Sequence, residues 1–263
     1  MAERAVSGSS GDLAKSGIRI GAAAAGGLLS SLVGPEGGAG AGQALSEMGE
    51  SLVDYVLDRR QKDRVGAVLR YSLERMEERR AAGEKIRAEI GDLGREDAAS
   101  VFEAVVDAAA RSFEGRKAEA IANFYAEVAF DESVSVADTL LYLRRIRGAS
   151  WRALLALCFF SSAELQEERE LIQVQLVAGD ARIHPALADE LSEMLRALGL
   201  LGIEDNEGGV NDPSDIWGGG NALTDTGKIR PTSLGGAIAR LARLDKIVSS
   251  SELDVIAADL RRK

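Results

Sequence analysis

The sequence predicts a mainly α-helical protein with one small β-hairpin near its C-terminal end, and three observations predict it. Between residues 50 and 201 the chain is poor in turn residues and rich in Ala, Leu, Glu and Arg, a helix-forming composition. Apolar residues there recur at three- and four-residue steps rather than in alternation. Glycine is concentrated outside that stretch, with 12 of 29 glycines in residues 1–50 and seven in residues 201–227. A glycine-rich helical segment therefore leads into a helical bundle, and a turn-rich hairpin region follows it.

Residues 1–16 read as a mobile tail. Residues 17–34, GIRIGAAAAGGLLSSLVG, carry a single charge at Arg19, and PEGGAGAG then leads into a long helical pattern over 43–82. In that helix Leu45, Met48, Leu52, Val56, Val65, Val68, Leu69, Ser72 and Met76 mark one face. Further helices are expected over about 84–91, 95–114 and 116–130. The apolar faces of the last two include Val101, Phe102, Val105 and Ala109, then Ile121, Phe124, Tyr125 and Val128. Ser135 with Asp138 reads as a helix start that buries Leu140, Leu141, Leu143 and Ile146. Ser150 can cap a helix over 151–160, and Ser161-x-x-Glu164 matches a capping box for a helix running to about Val177. His184-Pro185 opens another helix, to Leu198, with Pro at its first position. Short strands are expected at 200–204 and about 221–224. TSLGGAIARLARL and ELDVIAADLRRK then form two closing helices.

Composition narrows the chemistry. One cysteine, Cys158, rules out an intrachain disulfide framework and fits a reducing, cytoplasmic setting. With Cys158 and His184 alone, no His/Cys zinc site can form, and no HExxH, Walker A or GxSxG pattern is present. Plentiful Asp and Glu are not framed by a second catalytic element, so the expectation is a non-enzyme with no cofactor, metal or catalytic residue. The net charge is −10, and the four stretches 1–60, 61–120, 121–180 and 181–263 carry −2, −1, −4 and −3. Duplex DNA is disfavoured as a partner, because phosphate binding normally leaves a positive footprint.

The N-terminal segment carries small-residue spacing. Gly34, Gly38 and Gly42 form one zipper, and Gly17, Gly21 and Ala25 a second, weaker one. On a helix such spacing lets two backbones approach closely, a device favoured in lipid, where no hydrophobic effect drives helix association. Eighteen residues give roughly 27 Å of helix, slightly short of a bilayer core. The expectation is a segment held back until triggered, then inserted as a homo-oligomer. A packed hairpin inside a helical bundle and a flexible leader are the competing readings, and a signal peptide is disfavoured by its long, charge-balanced start.

Residues 149–245 read helix, helix, helix, strand, loop, strand, helix. LRALGLLGIED, followed by LTDTG and SLGGAIARL, resembles the third-helix-to-wing passage of winged helix-turn-helix domains. The doubled match leaves open whether LTDTG or TSLGG begins the next helix. That resemblance implies a fold, not DNA binding. The helix that would enter a groove sets Arg196 against Asp189, Glu190 and Glu193. The wing carries Glu204, Asp205, Glu207, Asp212, Asp215 and Asp225 with no Lys or Arg between Gly202 and Gly227. Protein contact or ligand sensing is preferred to duplex binding.

The best anion- or nucleotide-binding candidate is LRRIRGASWR, where Arg144, Arg145, Arg147 and Arg152 gather around a helix start and Trp151 could stack on a base. The same arginines would equally suit a solvated helix end, where they complement the macrodipole. Arg75, Arg79 and Arg80, interleaved with Glu74, Glu77 and Glu78, read as a salt-bridged surface face. His184 reads as structural, Cys158 as a small buried apolar residue, and Trp217 as either tucked in or a partner contact.

The overall layout is a glycine-rich start, a helical middle containing GRKAEAIANFYAEVAFDES, and an end containing LRALGLLGIED and SLGGAIARL. It resembles the bacterial abortive-infection alpha family and related phage-defence effectors, including the acidic turn Phe130-Asp131-Glu132 after a helix. The resemblance implies a defence effector and transfers no site residue. Three parts are expected: 1–42 a glycine-rich apolar leader or membrane-active segment, 43–148 a helical oligomerisation or core region, and 149–263 a winged-helix-like sensing or interaction module. The expected location is cytoplasmic, with inner-membrane association on activation. The expected trigger is a regulatory protein or a small anionic ligand. A nucleic-acid-binding regulator and a soluble helical scaffold are the alternatives.

Overall fold

The computed structural model describes residues 59–91, 95–167, 170, 184–204, 210–211 and 228–260. The expected segment at 1–42, the start of the long helix with Leu45, Met48, Leu52 and Val56, the strand near 221–224 and Trp217 lie outside the described residues. The described chain is mainly helical with a small antiparallel sheet. It divides into two compact units between Leu140 and Leu141.

In the first unit, α1 (Arg59–Ala81) is followed by α2 (Ala88–Gly91), α3 (Glu96–Arg111) and α4 (Gly115–Val128). The expected helix over 84–91 is reduced to its last turn, because residues 84–87 run non-helically and carry Arg87 against the end of α4. α1 buries Val65, Val68, Ser72, Leu73 and Met76, one stripe at helical spacing, and packs on α3 and α4. Its partner α4 is buried nearly all round, including Ala118, Ala120, Ala122 and Ala126. These small side chains let the two backbones come close, and Ser72 Oγ, itself buried, donates to Val68 O at 2.8 Å and Ala122 O at 3.2 Å. The expected faces Val101, Phe102, Val105, Ala109 and Ile121, Phe124, Tyr125, Val128 are all in the core.

α5 (Val136–Gly148) starts as expected: Ser135 Oγ accepts from Asp138 N at 3.0 Å and donates to its carboxylate at 2.6 Å. Leu143 and Ile146 are buried, whereas Leu140 and Leu141 are only half-buried.

The second unit is built around α6 (Trp151–Ser161), in which every residue from Ala153 to Phe160 is buried. A helix apolar on all sides must be covered on all sides. It is packed by α7 (Pro185–Glu193), strand β3 (Lys228–Pro231), α8 (Ser233–Leu241), α9 (Leu244–Ile247) and α10 (Ser250–Leu260). Phe159 and Phe160 meet edge to face at 5.4 Å. Ser161, expected to cap the following helix, is instead the last residue of α6, and helix resumes at Gln166. α7 passes directly into a π turn, Met194–Leu198, which ends at Gly199 in the left-handed region (φ 62°).

Strand β1 (Leu201–Glu204) pairs antiparallel with β3 from Leu201↔Pro231 to Glu204↔Lys228. On its other edge, short β2 (Val210–Asn211) pairs through Ile203↔Asn211. The strand that closes the hairpin therefore lies at 228–231, and TSLGG begins the following helix, with Thr232 Oγ1 accepting from Gly235 N at 3.0 Å.

Cys158 sits inside α6 and is 4% exposed. Burial, then the carboxylates of Asp245 and Glu252, push its thiol up to about 12. Since the thiolate is the nucleophile, the folded protein is expected to leave Cys158 unmodified by iodoacetamide at pH 8. Quantitative alkylation should appear only after denaturant is added, and mass spectrometry checks it.

Candidate functional site

The arginine-rich passage predicted from the sequence lies where α5 ends and α6 begins. Ser150 Oγ accepts from Ala153 N at 3.0 Å and so occupies one of the exposed N–H groups of α6. Arg145 turns away from solvent and donates Nη1 to Ala197 O at 2.6 Å, the last turn of the π segment, with its Nε buried and without a hydrogen-bond partner. Arg152 pairs with Asp259 of α10. Trp151 is half-buried, and Arg144 and Arg147 are exposed. Five residues adjacent in sequence thus split. Arg145 and Arg152 tie elements of the second unit together, while Arg144 and Arg147 remain on the surface.

Two further contacts fix this corner. A Cβ at Gly148 would lie 3.1 Å from Leu198 Cδ2, so the end of α5 sits close against the π turn. At the start of α7, His184 Nδ1 accepts from Ala186 N at 3.3 Å while the His184 backbone N–H donates to the Asp259 backbone carbonyl at 2.8 Å. The single histidine is a helix cap, the structural role expected of it.

α7 turns Leu187 and Leu191 inward, and the π turn after it does the same with Met194, Leu195 and Leu198. On its outer side Asp189 and Glu193 are exposed and Glu190 is half-buried, with Arg196 exposed beyond them. The side chain of Glu204 and the wing acids Asp205, Glu207, Asp212, Asp215 and Asp225 lie outside the described residues, as do the zipper positions Gly17, Gly21, Ala25, Gly34, Gly38 and Gly42. Among the described residues no group of three or more His, Cys, Asp or Glu side chains could hold a metal, and no helix is long and apolar enough to cross a membrane.

The first unit holds residues that sequence reasoning missed. Arg87, 8% exposed, donates Nη1 to Asp131 O and Val134 O, each at 2.6 Å, while its backbone N–H donates to Ala129 O at 2.9 Å. Arg64 Nη2 donates to Ala110 O at 2.9 Å, and its guanidinium lies 5.2 Å from the Phe113 ring centroid. With Arg145 this makes a pattern: arginines reach carbonyls at or just beyond helix C-terminal ends, where four acceptors lack intrahelical donors. Nothing in the local sequence marks such a carbonyl, so no spacing rule could have found it.

Arg79 departs from the simple surface face expected of it. It bonds Glu84 through Nε at 2.9 Å, reaches Glu127 of α4 at 2.5 Å, and covers the Phe130 ring at 4.5 Å. The hydrogen bond from Arg79 holds the Glu84 carboxyl below its ordinary value. That link persists above the ordinary carboxylate range and is lost as pH falls through the lowered value. Arg75–Glu78 is a surface pair of the expected kind, and Glu74 pairs instead with Arg70, one turn earlier.

No protein-family model, curated protein or solved structure matches this chain.

Proposed function

We propose that the protein is a non-enzymatic bacterial anti-phage effector of the abortive-infection type. In this reading the helical first unit carries the glycine-zipper segment, and homo-oligomers perturb the inner membrane. The second unit is a winged-helix-like module that receives the trigger from a regulatory protein or a small anionic ligand. The observation that carries the division of labour is the use of Arg145 and Arg152. Both are committed to holding the second unit together, while the outer side of α7 presents Asp189 and Glu193. Such a face repels phosphate and suits contact with a partner protein. The membrane role is supported by the spacing of Gly17, Gly21 and Ala25 and of Gly34, Gly38 and Gly42, and the defence setting by the resemblance of layout.

Induced expression with a membrane-impermeant dye tests the reading. Dye entry is expected with the full chain once triggered, and not with a chain starting at Gln43. Intact membranes with the triggered full chain would remove the membrane-breaching role. A second reading, a nucleic-acid-binding regulator, is favoured by the β1–β3 hairpin placed directly after α7. It predicts salt-dependent duplex binding, whereas the effector reading predicts none at physiological salt.

A further inference from the structure

One end of the first unit departs from the acidic character of the chain. Ser72 lies against Ala122 and Arg79 against Glu127, so α1 and α4 run side by side in the same direction. Residues 59–64 are therefore at the end where α4 begins and α3 finishes, as the contact of Arg64 with Ala110 and Phe113 also requires. Arg59 and Arg60 are exposed here and Lys62 is half-buried. Between α3 and α4, Phe113 is 86% exposed, the most exposed of the large hydrophobic side chains described. Of the acids at this end, Asp107 and Glu119 pair with Arg111 and Arg116. Asp63 and Glu114 also lie at this end, with four basic groups in residues 59–64.

We propose that this end docks on an anionic lipid surface, with Phe113 entering the headgroup region and Arg59 and Arg60 facing lipid phosphates. An exposed aromatic among arginines is the composition of an interfacial anchor, in which apolar area and charge attraction add. The net charge of −10 does not prevent this, because screening over about 8 Å at physiological salt leaves the local balance to decide. A single-stranded nucleic acid is the weaker fit. Arg64 already covers one face of the Phe113 ring, so a base has only the other face to stack on. The inference rests on the membrane reading above and adds the surface by which the protein arrives.

The full chain is tested by co-sedimentation with vesicles of phosphatidylglycerol and phosphatidylethanolamine, against vesicles of phosphatidylcholine. Binding to the anionic vesicles alone is expected, weakened about five-fold by each of Arg59→Gln and Arg60→Gln and about ten-fold by Phe113→Ser. Phe113→Trp should add fluorescence that brominated lipid chains quench beyond the wild-type level. Binding that these substitutions leave unchanged, or absence of the added quenching, overturns the proposal. So does tighter binding to a single-stranded oligonucleotide than to vesicles. Dye entry in cells with no vesicle binding would sink this docking surface and leave the membrane-breaching role standing. Vesicle binding without dye entry would do the reverse.

Discussion

Replacing Gly235 with alanine is expected to destabilise the second unit by about 3 kcal/mol or more, at or beyond the upper end of overpacking costs. An added Cβ would lie 2.0 Å from Leu200 O and 2.9 Å from Leu200 C, with Leu157 Cδ1 at 3.1 Å. The obstruction is main chain, so no rotamer change relieves it. Nor can the helix simply back away, because Thr232 holds it there. Thr232 Oγ1 donates to Gly199 O at 2.7 Å and its N–H donates to Leu200 O at 3.1 Å. Gly236 is the internal control, since a Cβ there meets nothing within 4 Å. Gly236→Ala should be neutral or stabilising by about 0.5–1 kcal/mol, the usual gain on removing a mid-helix glycine. Urea denaturation, together with amide hydrogen exchange over 151–161 and 233–260, separates the two. Equal effects of both substitutions would show that the α8–Leu200 contact is not as close as described.

Arg87→Met carries the second large effect, a loss of about 3 kcal/mol confined to the first unit. The guanidinium serves Asp131 O and Val134 O from a position 8% exposed. Methionine fills the space but leaves those carbonyls without their donor. Lysine keeps the charge with a single ammonium in place of a planar fork, so Arg87→Lys should recover about half of the loss. Faster exchange of amides in residues 115–140, with residues 151–161 unchanged, is the expected signature. A loss spread evenly over both units would contradict a local clamp.

The elements that were legible from sequence rest on local rules. Ser150 before an apolar run, His184 before Pro185, Ser135 with Asp138 and the buried stripe of α1 each depend on neighbours within one turn, and each is found in place. The errors come from longer range. Ser161 and Glu164 have capping-box spacing, but α6 keeps its helical hydrogen bonding through Ser161 because its apolar side chains are buried to Phe160. LTDTG and TSLGG both read as helix starts, and only the pairing of Lys228–Pro231 with β1 shows that TSLGG begins the helix after it. The candidate site shows the same limit. Arginines crowded in sequence were legible as a cluster, but Ala197 and Asp259 take up two of them across separations of 52 and 107 residues. Phe113 carries only a faint signal in the sequence, a lone aromatic where two helical patterns meet.

The tie between Arg152 and Asp259, with the His184 backbone N–H donating to the Asp259 backbone carbonyl, bears on how the second unit comes into being during synthesis. Its central helix, α6, is apolar on every side, and part of its cover, α10, is the last described element to emerge. Until residue 260 clears the ribosomal tunnel, α6 lacks that cover and is a natural client for chaperones. The first unit, whose described contacts close by residue 140, can finish folding well before that moment.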